Sequence, residues 1–463
     1  MNIQLNSTLL LIIETLYLLT VASIVVVVIS ENRNPIKTVA WVLAVVFLPF
    51  IGIIWYAFFG QDATKKQVIS RRMYSKLKKR PLDGMETVVE HTFPEGHTNL
   101  IRLLQNLDYT PLLGGNDVKL FTCGEDKFEN LFADIEKAEK HIHIEYYVLL
   151  DDELGLKFQQ ALIRKAKEGL EIRIIYDSFG SRKAKRKFFE DFRKAGIETE
   201  PFLKLSLSAL TSRLNYRTHR KIVVIDGRIG YVGGMNVADR YLKGFDWGCW
   251  RDTHARIEGK GVQGLQSVFL IDWYFVSQTL ITSRDYFPVL ENYGECPMQI
   301  VNSGPLSVYN EISYGIMQAI YDARKSIFIQ TPYFLPPDAM IDALQAAATR
   351  GVDVRVMMSK RSDMMLESGV KVYMYHKGFL HSKMMVFDGS LTLVGSANFD
   401  SRSFEQNFEV EAFIYDKKLG MQAGDIFVED QRFSETVSMR EWSNRPVLKR
   451  FIESFMRLFA PLL

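Results

Sequence analysis

The chain has 463 residues, with 57 Lys and Arg against 54 Asp and Glu, for a formal net charge of +3. Its 47% hydrophobic residues can build a core, which excludes disorder as the dominant state, and the near-neutral balance gives no global basic field to drive nucleic-acid binding. At about 150 residues per domain the length predicts roughly three domain-sized units.

Residues 9–29 are almost wholly apolar, with Glu14 the one charge, and residues 39–59 carry none. Each run is about 20 residues, enough at 1.5 Å per residue to cross a hydrocarbon core. A polar turn containing Pro35 separates them. The expectation is a two-helix transmembrane hairpin over residues 1–62, with an interfacial first segment as the alternative that Glu14 leaves open. The opening Met1-Asn2-Ile3-Gln4 lacks the basic residues of a cleaved signal peptide. Next come Lys65, Lys66, Arg71, Arg72, Lys76, Lys78, Lys79 and Arg80. Such a cluster stays on the cytoplasmic side, so the remaining chain is expected to face the cytoplasm, and it suits anionic headgroups. Residues 63–114 read as a basic juxtamembrane connector.

Beyond residue 115 strand-like runs alternate with helical ones, which argues an α/β fold. The chain also repeats itself. Residues 138–145 match 323–330, and each is followed by a helical stretch ending at Gly169 or Gly351. The first half then carries His219, Lys221, Asp226, Gly233, Gly234 and Asn236; the second carries His381, Lys383, Asp388, Gly395, Ser396 and Asn398. The spacing H-x-K-x4-D-x6-G-[GS]-x-N is the same both times. Asp252 and Glu409 occupy equivalent places further on. The expected architecture is two pseudo-twofold related α/β halves with mixed sheets, residues 115–295 and 296–463, sharing one active site.

On a strand, residues i and i+2 face the same way, so each His projects with its Lys. If the halves pack symmetrically, two imidazoles and two ammonium groups converge. One imidazole can act as a nucleophile while the other protonates a leaving oxygen. Lys221, Lys383, Asn236 and Asn398 can stabilise a phosphoryl group without a metal, and the small Gly233 and Ser396 allow the backbone close to phosphate. Asp252 and Glu409 are the candidates to orient the histidines. Asp226 and Asp388 complete the motif and count with the catalytic set, although each is followed by Gly, and a strand-end turn would make it structural. His141, His143 and His254 lie in alternating strands and read as satisfied strand residues; His91, His97 and His376 read as loop residues. No His, Cys or carboxylate spacing suggests a metal site, and Cys123, Cys249 and Cys296 read as reduced thiols.

The duplicated motif resembles that of the phospholipase D superfamily. Together with the N-terminal hairpin, Arg217-Thr218-His219-Arg220-Lys221 and Trp250-Arg251-Asp252-Thr253-His254, it resembles the bacterial cardiolipin synthases of that superfamily over essentially the whole chain. The resemblance implies a multi-pass protein of the bacterial cytoplasmic membrane. It implies transfer of a phosphatidyl group from one phosphatidylglycerol to another through a covalent phosphohistidine, with no metal or other cofactor. His219 as nucleophile and His381 as acid and base rest on the same resemblance. A phospholipase D hydrolysing phosphatidyl esters remains the nearest alternative; a nuclease fits the charge poorly, so no nucleic-acid partner is expected, and oligomeric state is not readable.

Two accessory features stay open between a membrane role and packing. The first half is longer: His219 lies 81 residues after Ala138, whereas His381 lies 58 after Ala323. The extra sequence holds Arg182, Lys183, Lys185, Arg186 and Lys187, then Leu203, Leu205, Leu207, Leu210 and Leu214. The second is an amphipathic C-terminal helix expected over residues 447–459. Tyr146-Tyr147 and Tyr333-Phe334 end corresponding strands and are candidates for the channel or the core.

Overall fold

The apolar N-terminal runs form helices α1 (Ser7–Ser30), α2 (Pro35–Phe47) and α3 (Ile51–Trp55). The computed structural model describes residues 7–30, 35–48, 51–56, 93–203, 216–307, 309–359 and 369–437. Pro35 opens α2, where its fixed φ and missing N–H cost nothing. Of the run expected as one span over 39–59, residues 49, 50 and 57–59 lie outside the described residues. Val28, Trp41, Val45 and Tyr56 close a small core, with the Trp41 and Tyr56 rings edge to face at 5.5 Å. Leu16, Leu19, Val26, Ile29, Leu43 and Phe47 are exposed. Among the described residues no helix is long and apolar enough to cross a membrane.

The α/β unit is separate from these helices. Its first half supplies β1 (Leu113–Phe121), β2 (His141–Tyr146), β3 (Glu171–Asp177), β4 (Glu198–Phe202), β5 (Lys221–Ile225), β6 (Ile229–Gly233), β7 (Cys249–Arg251) and β8 (His254–Glu258). The second supplies β9 (Cys296–Ser303), β10 (Ser326–Gln330), β11 (Phe334–Leu335), β12 (Asp353–Ser359), β13 (Lys371–Tyr375), β14 (Gly378–Leu380), β15 (Met384–Phe387), β16 (Leu391–Gly395), β17 (Phe399–Asp400), β18 (Glu409–Ile414) and β19 (Ser434–Thr436).

A single mixed sheet of 15 strands runs through both halves. From its middle outward the order is β1-β8-β6-β5-β2-β3-β4 on one side and β9-β18-β16-β15-β10-β12-β13 on the other, with β19 at the edge. The two orders match strand for strand, so the sequence repeat is a repeat of topology. The parallel pairs β2–β3 and β10–β12 are joined through helices Glu153–Lys167 and Asp338–Thr349, as parallel strands require. Gly169 and Gly351, just past those helices, adopt φ of 96° and 90°, the left-handed stop that glycine makes without strain.

Helices cover both faces. Phe128, Leu131, Phe158, Leu162 and Phe192 fill the outer core of the first half. The outer core of the second half takes Ile312, Ile316, Ile320, Met340 and Leu344. Residues 98–112, expected within the connector, belong to that same core. Helix Thr98–Asp108 packs Leu100, Ile101 and Leu104 into it, and Leu112 follows. On the opposite face helices Gly261–Ser277 and Lys417–Gln431 lie over one core shared by both halves, through Val262, Leu265, Leu419 and Phe427. Arg182, Lys183, Lys185, Arg186 and Lys187 are exposed, while Phe188, Phe189 and Phe192 behind them are buried. That pattern is a solvated helix face over a packed one. Residues 205–214 and the C-terminal 447–459 lie outside the described residues.

The halves meet where β1 pairs with β9. The register shifts between Leu113 and Asn116, and Asn116 fills the irregularity. Its Nδ2 donates to the carbonyls of Leu113 and Cys296, each at 2.8 Å, and its Oδ1 accepts from the Gly261 N–H at 2.5 Å. Asn116 is fully buried, so its loss strands polar groups where water cannot replace them. Asn116→Ala is expected to lower stability by about 2–4 kcal/mol, read as a shift in the urea midpoint.

Candidate active site

Each H-x-K motif lies where its chain enters a hairpin strand, β5 or β15, and the halves bring the two motifs to one cavity of about 380 Å³. His219, His381, Asn236 and Arg240 line it with Val148. Tyr147, Tyr241, Phe245, Trp247, Trp250, Tyr333 and Phe379 give it an aromatic wall. Part of that wall is shared, because β7 pairs in parallel with β14 across the halves and sets Trp250 opposite Phe379. Of the paired aromatics at the strand ends, Tyr147 and Tyr333 line the cavity, whereas Tyr146 and Phe334 are buried in the cores.

The carboxylates cross over. His219 of the first half places Nδ1 at 3.0 and 3.2 Å from the Glu409 oxygens of the second. His381 of the second half places Nδ1 at 2.7 Å from Oδ2 of Asp252 in the first. Neither half therefore contains a complete His–carboxylate pair. In each case Nδ1–H donates to the carboxylate, which leaves Nε2 with its lone pair. The Ser396 carbonyl, 3.0 Å from His219 Nδ1, is a third acceptor on that nitrogen. His381 Nδ1 instead also faces Lys383 Nζ at 3.0 Å.

Both carboxylates are fully buried and held in parallel ways. Trp250 Nε1–H donates to Asp252 at 3.2 Å, and the Asn407 amide donates to Glu409 at 3.2 Å; each donor lies two residues before its carboxylate. The Thr253 N–H donates to Asp252 Oδ1 at 2.8 Å, and the Ser396 hydroxyl donates to Glu409. Arg220, buried between His219 and Lys221, donates to the Glu409 carbonyl at 3.1 Å and the Ser303 carbonyl at 3.2 Å, and pairs with Asp272. Burial opposes ionisation of Asp252 and Glu409. His381 beside the one and His219 beside the other nonetheless hold both below the usual carboxylate range.

The remaining motif residues fall differently. Lys221 and Lys383 are fully buried and are not among the lining residues; each Nζ donates to the carbonyl of its own motif histidine, Lys383 at 2.6 Å. Burial pulls Lys221 down to about 7 and Lys383 to about 8. Asn236 lines the cavity, with Oδ1 accepting from the Val148 N–H at 2.9 Å and Nδ2 donating to Tyr241 at 2.6 Å. Asn398 is buried, and its side chain bonds Asp400 rather than lining the cavity.

Asp226 and Asp388, counted with the catalytic set, are structural. Each opens a three-residue hairpin connection with the following Gly, and both residues take positive φ, 54° at Asp226 and 53° at Asp388. Asp226 accepts from the N–H groups of Glu139, Lys140 and His141 at 2.8–2.9 Å, and Asp388 from those of Arg324, Lys325 and Ser326 at 2.7–2.9 Å. Each carboxylate pins the start of the neighbouring strand, at the far end of β5 or β15 from its lysine. Gly233 and Ser396, expected to bring backbone near phosphate, serve the carboxylates and their strands instead. Gly233 lies against His254, and Ser396 bonds Glu409.

Sequence reasoning gave Gly234, Arg220, Trp250 and Asn407 no part in placing the carboxylates. Gly234 had a signal in the repeat, where Ser stands in its place in the second half. A Cβ at Gly234 would collide with Oδ1 of Asp252. Among the described residues no group of His, Cys, Asp and Glu is placed to hold a metal. His141, His143 and His254 are buried strand residues away from the cavity lining; Gln266 bonds His141 and His143, and His97 bonds Ser390.

Duplicated halves with this strand order, and two histidines each held by the other half's carboxylate, define a phospholipase D-type fold and site. A family described as "Cardiolipin synthase, PLD-like domain" matches residues 131–251 and 316–431, and one described as "Phospholipase_D-nuclease N-terminal" matches 18–61. A cardiolipin synthase of Listeria innocua is 39% identical over 97% of this chain and 98% of its own. The major cardiolipin synthase of Bacillus subtilis is 39% identical over 98% and 99%. The chain belongs to the cardiolipin synthase family of phospholipase D-like proteins. The crystal structure of a phosphatidylserine synthase of Haemophilus influenzae shares the fold at a TM-score of 0.60 and 14% identity, covering 78% of this chain and 98% of that one.

Two outcomes follow from this geometry. Gly234→Ala should displace Asp252, release His381 and cut turnover roughly 100-fold while the far-UV spectrum is kept, checked by activity and circular dichroism on one sample. Burial also lowers His381 to about 3 and His141 to about 4. Below about pH 6.5 the unfolded chain binds a proton at each imidazole while the folded protein does not, so stability falls as pH drops from about 6.5 towards 4. Thermal midpoints across that range should fall with pH, less steeply in His141→Gln.

Proposed function

We propose that the protein is a cardiolipin synthase that transfers a phosphatidyl group from one phosphatidylglycerol to the glycerol hydroxyl of a second, giving cardiolipin and glycerol. The carrying observation is the crossed His–carboxylate pairing at a cavity with aromatic walls. His219 is the nucleophile. Its Nδ1–H has three acceptors, two from Glu409 and one from Ser396, so Nε2 is held as the free base.

His219 Nε2 attacks the phosphorus of the donor as His381 gives a proton to the departing glycerol oxygen. The terminal hydroxyl of the second phosphatidylglycerol then attacks the phosphatidyl-histidine while His381 takes its proton. Lys221 and Lys383 supply buried positive charge against the phosphoryl group, Asn236 donates from the cavity wall, and Asn398 supports the second motif. The aromatic wall disfavours water as the competing acceptor. Substrates are membrane lipids, and α1–α3 tether the enzyme in the bacterial cytoplasmic membrane as a multi-pass hairpin with the α/β unit on the cytoplasmic side. The exposed Leu16, Leu19, Val26, Ile29, Leu43 and Phe47 suit that lipid setting, and the basic residues 65–80 suit anionic headgroups.

The purified protein in phosphatidylglycerol vesicles should release glycerol and form cardiolipin in equal amounts. Phosphatidic acid as the sole lipid product would replace the synthase with a hydrolase. Acid quenching with labelled phosphatidylglycerol should trap a covalent adduct in the native protein and none in His219→Ala, whose turnover should fall roughly 10³–10⁴-fold. An adduct on His219→Ala would move the nucleophile to His381.

A further inference from the structure

The proposed reaction passes through one place twice with different chemistry. In the first step that place, next to His381, holds the departing glycerol, which ends in a free hydroxyl. In the second it holds the acceptor, whose glycerol carries its own phosphate at the far end. The site thus needs a second anion-binding group about a glycerol's length beyond His381, used only when the acceptor is a phosphatidylglycerol.

Arg240 has the required properties. Among the described residues lining the cavity it is the one Lys or Arg. Its guanidinium carbon lies 5.3 Å from the Tyr241 ring centre and 5.5 Å from that of Trp250. Trp250 in turn lies 4.9 Å from the His381 ring. Tyr241 also lies 6.2 Å from the His381 ring, so the guanidinium and the acid–base group share the same two aromatic neighbours. The Arg240 Nε is buried with no hydrogen-bond partner, and no carboxylate among the described residues pairs with the side chain. A guanidinium flanked by two aromatic rings, with a buried donor unused, is prepared to pair with the oxygens of an anion such as a phosphodiester. Arg402 stands at the equivalent position of the repeat, four residues after Asn398 as Arg240 is after Asn236, but it is exposed and does not line the cavity. The symmetry is broken where donor and acceptor must be told apart.

We propose that Arg240 binds the headgroup phosphate of the acceptor phosphatidylglycerol. This rests on the synthase reading given above. In the step it serves, the acceptor's terminal oxygen bonds to phosphorus as the bond from phosphorus to His219 Nε2 breaks, and the hydroxyl proton passes to His381.

The test compares two acceptors on one enzyme. Labelled glycerol, which carries no phosphate, is exchanged into phosphatidylglycerol; phosphatidylglycerol itself is converted to cardiolipin. In Arg240→Gln the ratio of cardiolipin formation to glycerol exchange should fall at least tenfold, and Arg240→Lys should recover part of it. Arg402→Gln, which removes the same charge outside the cavity, should keep the native ratio within twofold. An unchanged ratio in Arg240→Gln, whether both rates persist or fall together, overturns the proposal, as does an equal change in Arg402→Gln. Native enzyme that forms only phosphatidic acid would remove the synthase reading and this inference with it; native enzyme that makes cardiolipin while Arg240→Gln keeps its ratio removes this inference alone.

Discussion

The structure turns on a crossed pair of hydrogen bonds, in which Glu409 of one half holds His219 of the other and Asp252 holds His381 in return. Two carboxylates and two lysines are buried there beside two imidazoles that line the cavity, a composition that isolated charges could not tolerate. Two ammonium groups stand against two carboxylates. Removing a lysine or a carboxylate leaves an uncompensated charge in the interior, which is far more costly than the net contribution of an intact pair. The halves are thus held together by the requirement that makes the site work, and the β1–β9 junction with Asn116, the β7–β14 pairing and the shared core all serve one register between them.

That balance also bears on the proposed chemistry. Burial pulls both imidazoles and both lysines towards their neutral forms. A phosphodiester in the cavity adds a negative charge, which favours the protonated forms of the lysines and of an imidazole. In the proposed mechanism that shift supplies the acid of the first step. The backbone frame is symmetric, yet its side chains differ at Asp252 and Glu409, Gly234 and Ser396, Trp250 and Asn407, and Arg220 and Ser382. Those differences let two equivalent histidines take unequal roles.

Much of this was legible in the sequence because it depends on spacing. A motif repeated with the same intervals, set on strands where alternate residues share a face, already implies that His219 and His381 converge. Equivalent positions in the repeat also picked out Asp252 and Glu409. Which histidine each carboxylate meets was not readable, since that follows from strand order in a sheet that crosses both halves. The motif aspartates misled for a related reason. Asp226 and Asp388 share a motif with the lysines, but the strand carries them to its other end, where a hairpin turn and three N–H groups claim them. The missing side chain of Gly234 makes room for Asp252, a role that spacing alone does not reveal. Residues 98–112 looked like connector because the periodicity of one short helix is easily lost beside Pro94 and Gly96, although Leu100, Ile101, Leu104 and Leu112 are core.

The aromatic wall ties the fold to the proposed choice of acceptor. Trp250 touches three functions at once: its indole N–H holds Asp252, its ring lies 4.9 Å from His381, and the same ring lies 5.5 Å from the Arg240 guanidinium. Phe245, Trp247 and Phe379 extend the same surface, Phe245 stacking on Trp247 with centres 5.0 Å apart. A wall of this kind offers little hydrogen bonding to water but good contact to a glycerol backbone and acyl ester. It also strengthens every charge interaction it encloses. The asparagine that stands in place of Trp250 in the second half, Asn407, keeps the hydrogen bond to the carboxylate but provides no ring. One duplicated carboxylate support has therefore kept a purely orienting role beside His219, while its partner beside His381 has become a wall of the cavity. On that side, where a lipid alcohol has to outcompete water, the difference between indole and amide decides how dry the approach to the phosphatidyl-enzyme is.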